Sequence, residues 1–338
     1  MRIYAIVLFA TLTGGVLMAQ TPPPEATITN GNITAKLYLP DAASGFYRGT
    51  RFDWSGVISS LKFDGHDFYG PWFTKQDSSV RDFVYKDPDI VVSSESGSMG
   101  PADEFQTPLG FDAAAPGGKF IKIGVGVLRR GDATPYSAYK KYEIVSAGKW
   151  TVRKHGDSVE FTQELHDADT GYGYTYTKTV RLAKGKPGMV ISHSLRNTGS
   201  KLIESKLYNH NFLTLDQAGT PAGYSLTFPF DVKTSRPPNP QMASVEGKRI
   251  VYLKTLQDHE TVAMPVEGFG ADAKDYDIRV ESPKAGVGVH IVGDKPLASM
   301  ALWSIRSVMA IEPFVAISVE PGKEMSWSYT YTYYALPK

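Results

Sequence analysis

Apolar and polar residues alternate with a period of two along most of this chain, the pattern of strands with one packed face and one wet face. Ala26–Pro40 reads ATITNGNITAKLYLP, and Asn30-Gly31 divides it into the two arms of a hairpin. Val57–Phe68 alternates around Asp64-Gly65, and Lys149–Leu165 around His155-Gly156-Asp157, while Tyr172–Leu182 is a nearly unbroken Tyr/Thr alternation. The same rhythm predicts strands in Met189–Leu195, Ile203–Leu215, Tyr224–Val232, Tyr276–Glu281, Val287–Val292, Leu297–Ile311 and Met325–Tyr334. Beyond the N-terminal segment no stretch has the 3.6-residue period of an amphipathic helix. Many short strands separated by Gly, Pro, Asn and Asp predict an all-β fold, a large antiparallel β-sandwich.

Two regions break the rhythm. Asp82–Gly118 is rich in Ser, Pro, Gly and Asp, and Lys233–Lys248 contains Arg236-Pro237-Pro238-Asn239-Pro240. Both read as irregular loops, which on a β scaffold either line a binding face or are tolerated insertions. Gly124-Val125-Gly126-Val127 puts two glycines in a strand, where their size admits another backbone or a ligand.

The N-terminus carries Arg2 and then an apolar run, Ile3–Met18, with Ala19 as the small residue at a cleavage point. That is a secretory signal peptide over residues 1–19, too short for the roughly 20 residues of a membrane span. Residues 20–25 read as a short linker and 26–338 as one domain. The mature protein is therefore expected to be exported, periplasmic or secreted, with no membrane attachment after cleavage. The chain has no cysteine, so its stability rests on core burial and not on disulfides. Its formal charge is +1, with 36 basic and 35 acidic residues interspersed. No basic footprint for nucleic acid is present, and the expected ligand is small or neutral. The 19 tyrosines and 5 tryptophans suit both sheet packing and sugar-stacking surfaces.

Two polar residues stand in apolar strands where they are poor core fillers. Tyr208-Asn209-His210-Asn211-Phe212-Leu213 holds a histidine, and Met309-Ala310-Ile311-Glu312-Pro313-Phe314, 102 positions later (312 minus 210), holds a lone carboxylate. Burying either unpaired costs roughly 2–7 kcal/mol. Together they would form an acid/base pair at the ends of two inner strands. Other catalytic signatures are missing from the sequence: no Gly-x-Ser-x-Gly elbow, phosphate loop, dinucleotide fingerprint or His-Glu-x-x-His. No cofactor or metal is called for by any motif.

These segments resemble the galactose mutarotase-like (aldose 1-epimerase-like) superfamily of β-sandwich proteins. Tyr208–Leu213 is similar to its strand bearing the catalytic histidine, and Ala301-Leu302-Trp303-Ser304 with Ile311-Glu312-Pro313 to the strand pair bearing its glutamate. Val319–Lys323 and Trp327–Tyr331 resemble its closing turn and last strand, and Arg48–Asp53 the early segment with a substrate-binding arginine. The resemblance implies a sugar-active protein that interconverts anomers by ring opening, with Glu312 as base and His210 as acid near its ordinary pKa of about 6.5. It implies Arg51 or Arg48 on sugar hydroxyls and Trp303 or Trp54 stacked on the ring. Family members often carry a further histidine earlier in the chain. The corresponding region here, Met99–Gln106, has none and offers Asp103 and Glu104, which are expected to bring a carboxylate to the pocket.

That departure leaves several function classes open: an aldose 1-epimerase-like isomerase, a non-catalytic carbohydrate-binding β-sandwich, or lyase or glycosidase chemistry on the same scaffold. The expected partner in each case is a small or oligomeric carbohydrate. Neither the sugar nor the oligomeric state is legible.

Overall fold

The computed structural model describes residues 22–337. The expected signal peptide falls outside the described residues. The first strand begins at Glu25, within the segment read as a linker.

Two large antiparallel sheets form the body of the molecule. One has ten strands, in the order Lys149–Lys154, Ser158–Asp167, Tyr172–Leu182, Gly188–Asn197, Glu324–Ala335, Val287–Gly293, Asp277–Ser282, Ser225–Thr227, Arg249–Tyr252 and Ala243–Glu246. The other has five, in the order Val262–Pro265, Ser299–Ile305, Val308–Val319, Ile203–Leu213 and Gly100–Phe105. Among the described residues three smaller sheets accompany them. Among the described residues the strand pairs are antiparallel except Lys75–Gln76 with Asp89–Val92, and the helices are two single 3-10 turns.

The alternation fixes which side chains meet. Tyr174, Tyr176 and Val180 of the ten-stranded sheet pack with Trp327, Tyr329 and Tyr331 of the last strand against Phe105, Leu207, Met309 and Ile311 of the five-stranded sheet. This apolar layer between the sheets is the main core. The opposite face of the five-stranded sheet carries a second, aromatic cluster, where Tyr208, Phe212 and Phe314 meet Phe52, Trp54 and Trp72 from the early part of the chain. A one-residue slip would exchange these two sets of side chains.

A polar assembly sits inside the main core. Lys178 lies 2.8 Å from Asp103 and 3.3 Å from Asp53, all three essentially without solvent exposure. His193 Nε2 is 3.0 Å from Asp103, Asn209 donates to Asp103 at 2.9 Å, and the Tyr331 hydroxyl reaches the side-chain oxygens of Asn209 at 2.9 Å and Asn211 at 2.8 Å. Burial works against ionising Asp103, but Lys178 and His193 hold it below the carboxylate range. Burial likewise raises Asp53, whose contact with Lys178 is longer. These partners make tolerable a set of charges that would otherwise be expelled from the core.

The structure corrects two expectations about the strands. Gly100–Phe105 is a buried edge strand paired with the His210 strand, not a loop turn. Leu297–Ile311 is not one run: Arg306-Ser307 turns it into the hairpin Ser299–Ile305 and Val308–Val319. The glycine pair serves close backbone approach. A Cβ on Gly124 (φ +79°) would meet Asp53 Cβ at 2.7 Å, and one on Gly126 would meet the Ser146 carbonyl oxygen at 2.1 Å.

Candidate functional site

The strands bearing His210 and Glu312 are neighbours in the centre of the five-stranded sheet, so Glu312 is not on an edge. Their register is the same at Tyr208↔Phe314 and Asn211↔Ile311, which sets His210 opposite Glu312. Pro313 removes one ladder donor there. Both side chains point away from the main core, and His210 Nε2 lies 3.3 Å from Glu312 Oε1. They open into a cleft of about 550 Å3 lined by Arg51, Tyr208, Phe212, Trp303 and Phe314 among others.

The surroundings displace both proton affinities. The His210 ring stacks on Phe212 at 3.8 Å between centroids and meets the edges of Phe52 and Trp303. Burial pushes its imidazole well below the ordinary range, with the nearby Arg51 charge adding to the effect. The value near 6.5 expected from sequence is therefore corrected, and the ring is neutral at pH 7. Burial pushes the Glu312 carboxyl up to about 7; Arg51 opposes the rise and Glu104 reinforces it. Near neutral pH the pair thus holds a neutral imidazole against a carboxyl that still carries its proton about half the time. His210 Nδ1 is buried without a hydrogen-bond partner.

Arg51 also lines the cleft. Its Nε donates to Glu104 at 2.9 Å and a terminal nitrogen to the Tyr208 hydroxyl at 3.0 Å, so the guanidinium is fixed before any ligand arrives. Glu104 holds Arg51, Lys122 at 3.0 Å, and the Tyr208 hydroxyl in a short hydrogen bond. Burial alone would raise the Glu104 carboxyl, yet Lys122 and Arg51 keep it below the usual range.

The remaining sequence candidates separate. Trp303 is half-buried on the cleft wall, edge-on to His210 and Trp72. Trp54 belongs to the aromatic core, with its indole N–H donated to Gly49. Arg48 is exposed, donates to the Ala43 carbonyl, and does not line the cleft. Glu104 stands behind Arg51 instead of in the cleft wall. Asp103, the next residue on the same strand, faces the opposite way into the main core. Strand alternation allows only one of two successive carboxylates on the cleft side, and the expectation that Asp103 joins the pocket is overturned.

Several cleft residues went unassigned in the sequence. Tyr208 and Phe212 lie two positions either side of His210, and Phe314 two beyond Glu312, so period-two counting from the acid/base pair reaches them. Asp82, Tyr139, Ser235 and Arg236 come from loops, and no local periodicity identifies them.

No protein-family model matches the sequence, and no curated protein matches it. Solved structures do match. A candidate aldose 1-epimerase from Escherichia coli K12 aligns with TM-score 0.56 at 12% identity, over 92% of this chain and 99% of that one. An aldose epimerase homologue from C. elegans aligns with TM-score 0.52 at 15% identity, over 93% and 100%. A galactose mutarotase-like protein from Lactobacillus casei gives TM-score 0.50 at 15% identity, over 92% and 100%. At such identities the likeness establishes the fold alone: this chain has the all-β galactose mutarotase-like sandwich that its strand segments resemble.

Proposed function

We propose that the cleft binds an aldose ring and interconverts its anomers by acid/base ring opening. The observation that carries this reading is the His210–Glu312 contact, 3.3 Å across two central strands, between groups whose proton affinities burial has moved in opposite directions. Paired groups separated in this way mark acid/base sites.

Ring opening needs the proton of the anomeric hydroxyl removed and one delivered to the ring oxygen. The ring C1–O bond breaks, the C1 carbonyl forms, C1–C2 rotates, and closure on the other face returns both protons. Neutral His210 accepts the hydroxyl proton, and the protonated Glu312 donates to the ring oxygen. This exchanges the roles expected from sequence, because the buried imidazole is the poorer proton holder of the two. The roles reverse on closure, so the pair ends as it began. Arg51, held by Glu104 and Tyr208, donates to sugar hydroxyls, and Trp303 with Phe314 covers the ring's apolar face. The apolar run Ile3–Met18 after Arg2 supports an exported protein acting on sugars outside the cytoplasm.

Polarimetry or NMR exchange on a panel of free aldoses tests the reading. Anomerisation above the uncatalysed rate, lost in both His210→Ala and Glu312→Gln, supports it. Sugar binding without acceleration in the wild type, surviving both changes, makes the protein a carbohydrate-binding module.

A further inference from the structure

A second cavity, of about 480 Å3, adjoins the cleft at Tyr139, which lines both. Successive residues divide between the two spaces: Asp82 and Ser96 line the cleft, Arg81 and Glu95 the second cavity. Hydroxyl groups furnish much of its wall, among them Ser79, Ser94, Thr134 and Ser137. Its acidic lining residue, Glu95, is buried and its carboxylate is already engaged by Thr50 and Ser94. Of its three cations, Lys140 is paired with Asp132 at 2.5 Å. Arg81 and Lys141 are exposed and have no carboxylate within ion-pair distance among the described residues. Two cations without a carboxylate partner thus border one cavity.

We propose that this cavity is a second sugar subsite that takes an acidic residue, so that the substrate is an anionic oligosaccharide whose reducing-end ring lies in the cleft. Its orientation rests on the acid/base reading: His210 and Glu312 act on a free anomeric centre, so the rest of the saccharide must leave the cleft by one side. Tyr139 marks that side. The residue is 38% exposed, with the Arg51 guanidinium 4.7 Å from its ring centroid, and an aromatic face at such a junction suits a sugar ring. The hydroxyl wall matches sugar hydroxyls. Arg81 and Lys141 match a carboxylate or a sulfate ester on the neighbouring residue.

Calorimetric titration tests the subsite independently of turnover. The probes are a glucuronic acid–glucose disaccharide, a sulfated disaccharide, and the neutral disaccharides, in both 1,4 and 1,3 linkages, against wild type and the Arg81→Ala/Lys141→Ala variant. The wild type is expected to bind at least one acidic probe about tenfold tighter than its neutral counterpart. That preference should shrink at high salt and disappear in the variant, whose anomerisation of free hexoses stays at the wild-type rate. The carboxylate and sulfate arms report which acidic group is taken. Equal affinity for acidic and neutral probes, or a preference that survives the double variant, overturns the proposal. If no sugar is anomerised but the acidic preference depends on Arg81 and Lys141, the acid/base reading falls and the subsite stands.

Discussion

Replacing Glu312 with glutamine should stabilise the protein at alkaline pH and leave its stability nearly unchanged in acid. The Glu312 side chain is only 14% exposed, and its carboxyl is raised by burial from 4.5 to about 7. That displacement corresponds to about 3 kcal/mol of preference for the neutral form in the folded state. Between pH 4.5 and 7 the folded protein retains a proton that the unfolded chain has released, so stability falls as pH rises through this window. Above pH 7 the whole cost is present. Glutamine occupies the same volume and does not ionise. Urea denaturation should therefore show Glu312→Gln more stable than wild type by about 3 kcal/mol at pH 8, with the gap closing towards zero at pH 4. For a chain of this size the shift in Tm at pH 8 is about 5 °C. A gap that is the same at both pH values, or a variant less stable at pH 8, would refute the claim that Glu312 is held neutral by its burial. Stability gained where turnover is lost is the expected trade at a catalytic position.

Three further outcomes follow from the same geometry. With His210 accepting and protonated Glu312 donating, kcat/KM for anomerisation falls as pH rises through about 7; polarimetry from pH 5 to 9 checks this, and a rate that climbs through the window makes Glu312 the base. Lys178→Met leaves Asp53 and Asp103 buried without their cation and is expected to cost about 3–5 kcal/mol in urea denaturation; an unchanged midpoint would mean that the carboxylates are protonated in the native core. Arg51→Met should lower kcat/KM by about tenfold or more by removing a charged hydrogen bond to substrate, whereas Arg48→Ala, on an exposed side chain, changes stability by less than about 0.5 kcal/mol and leaves turnover intact.

The sandwich was legible because period-two alternation is a local signal, and most of its strands pack one face and wet the other. His210 and Glu312 were legible for a related reason: each is a polar residue on an apolar stripe, an inconsistency that strand patterning exposes. What turned Asp103 inward was not local. Met99–Gln106 reads as a turn from its Gly, Pro and Asp content, and only the arrival of Lys178 and His193, 75 and 90 positions downstream (178 and 193 minus 103), lets a carboxylate occupy the core. Glu104 needs Arg51 and Lys122 in the same way. The choice between Arg48 and Arg51 depended on the path of an irregular segment, which carries no period to count. The proton affinities were the least legible, since the aromatic shell that displaces them is assembled from Phe52, Phe212 and Trp303, far apart in the chain.

The Tyr331 hydroxyl, shared by Asn209 and Asn211 from the far sheet, puts a clasp on both flanks of His210. The position of the imidazole is consequently adjusted from a layer that no sugar in the cleft would touch. Substitutions around Tyr331 offer a remote control over the acid/base pair, able to detune its alignment with no residue of the cleft replaced.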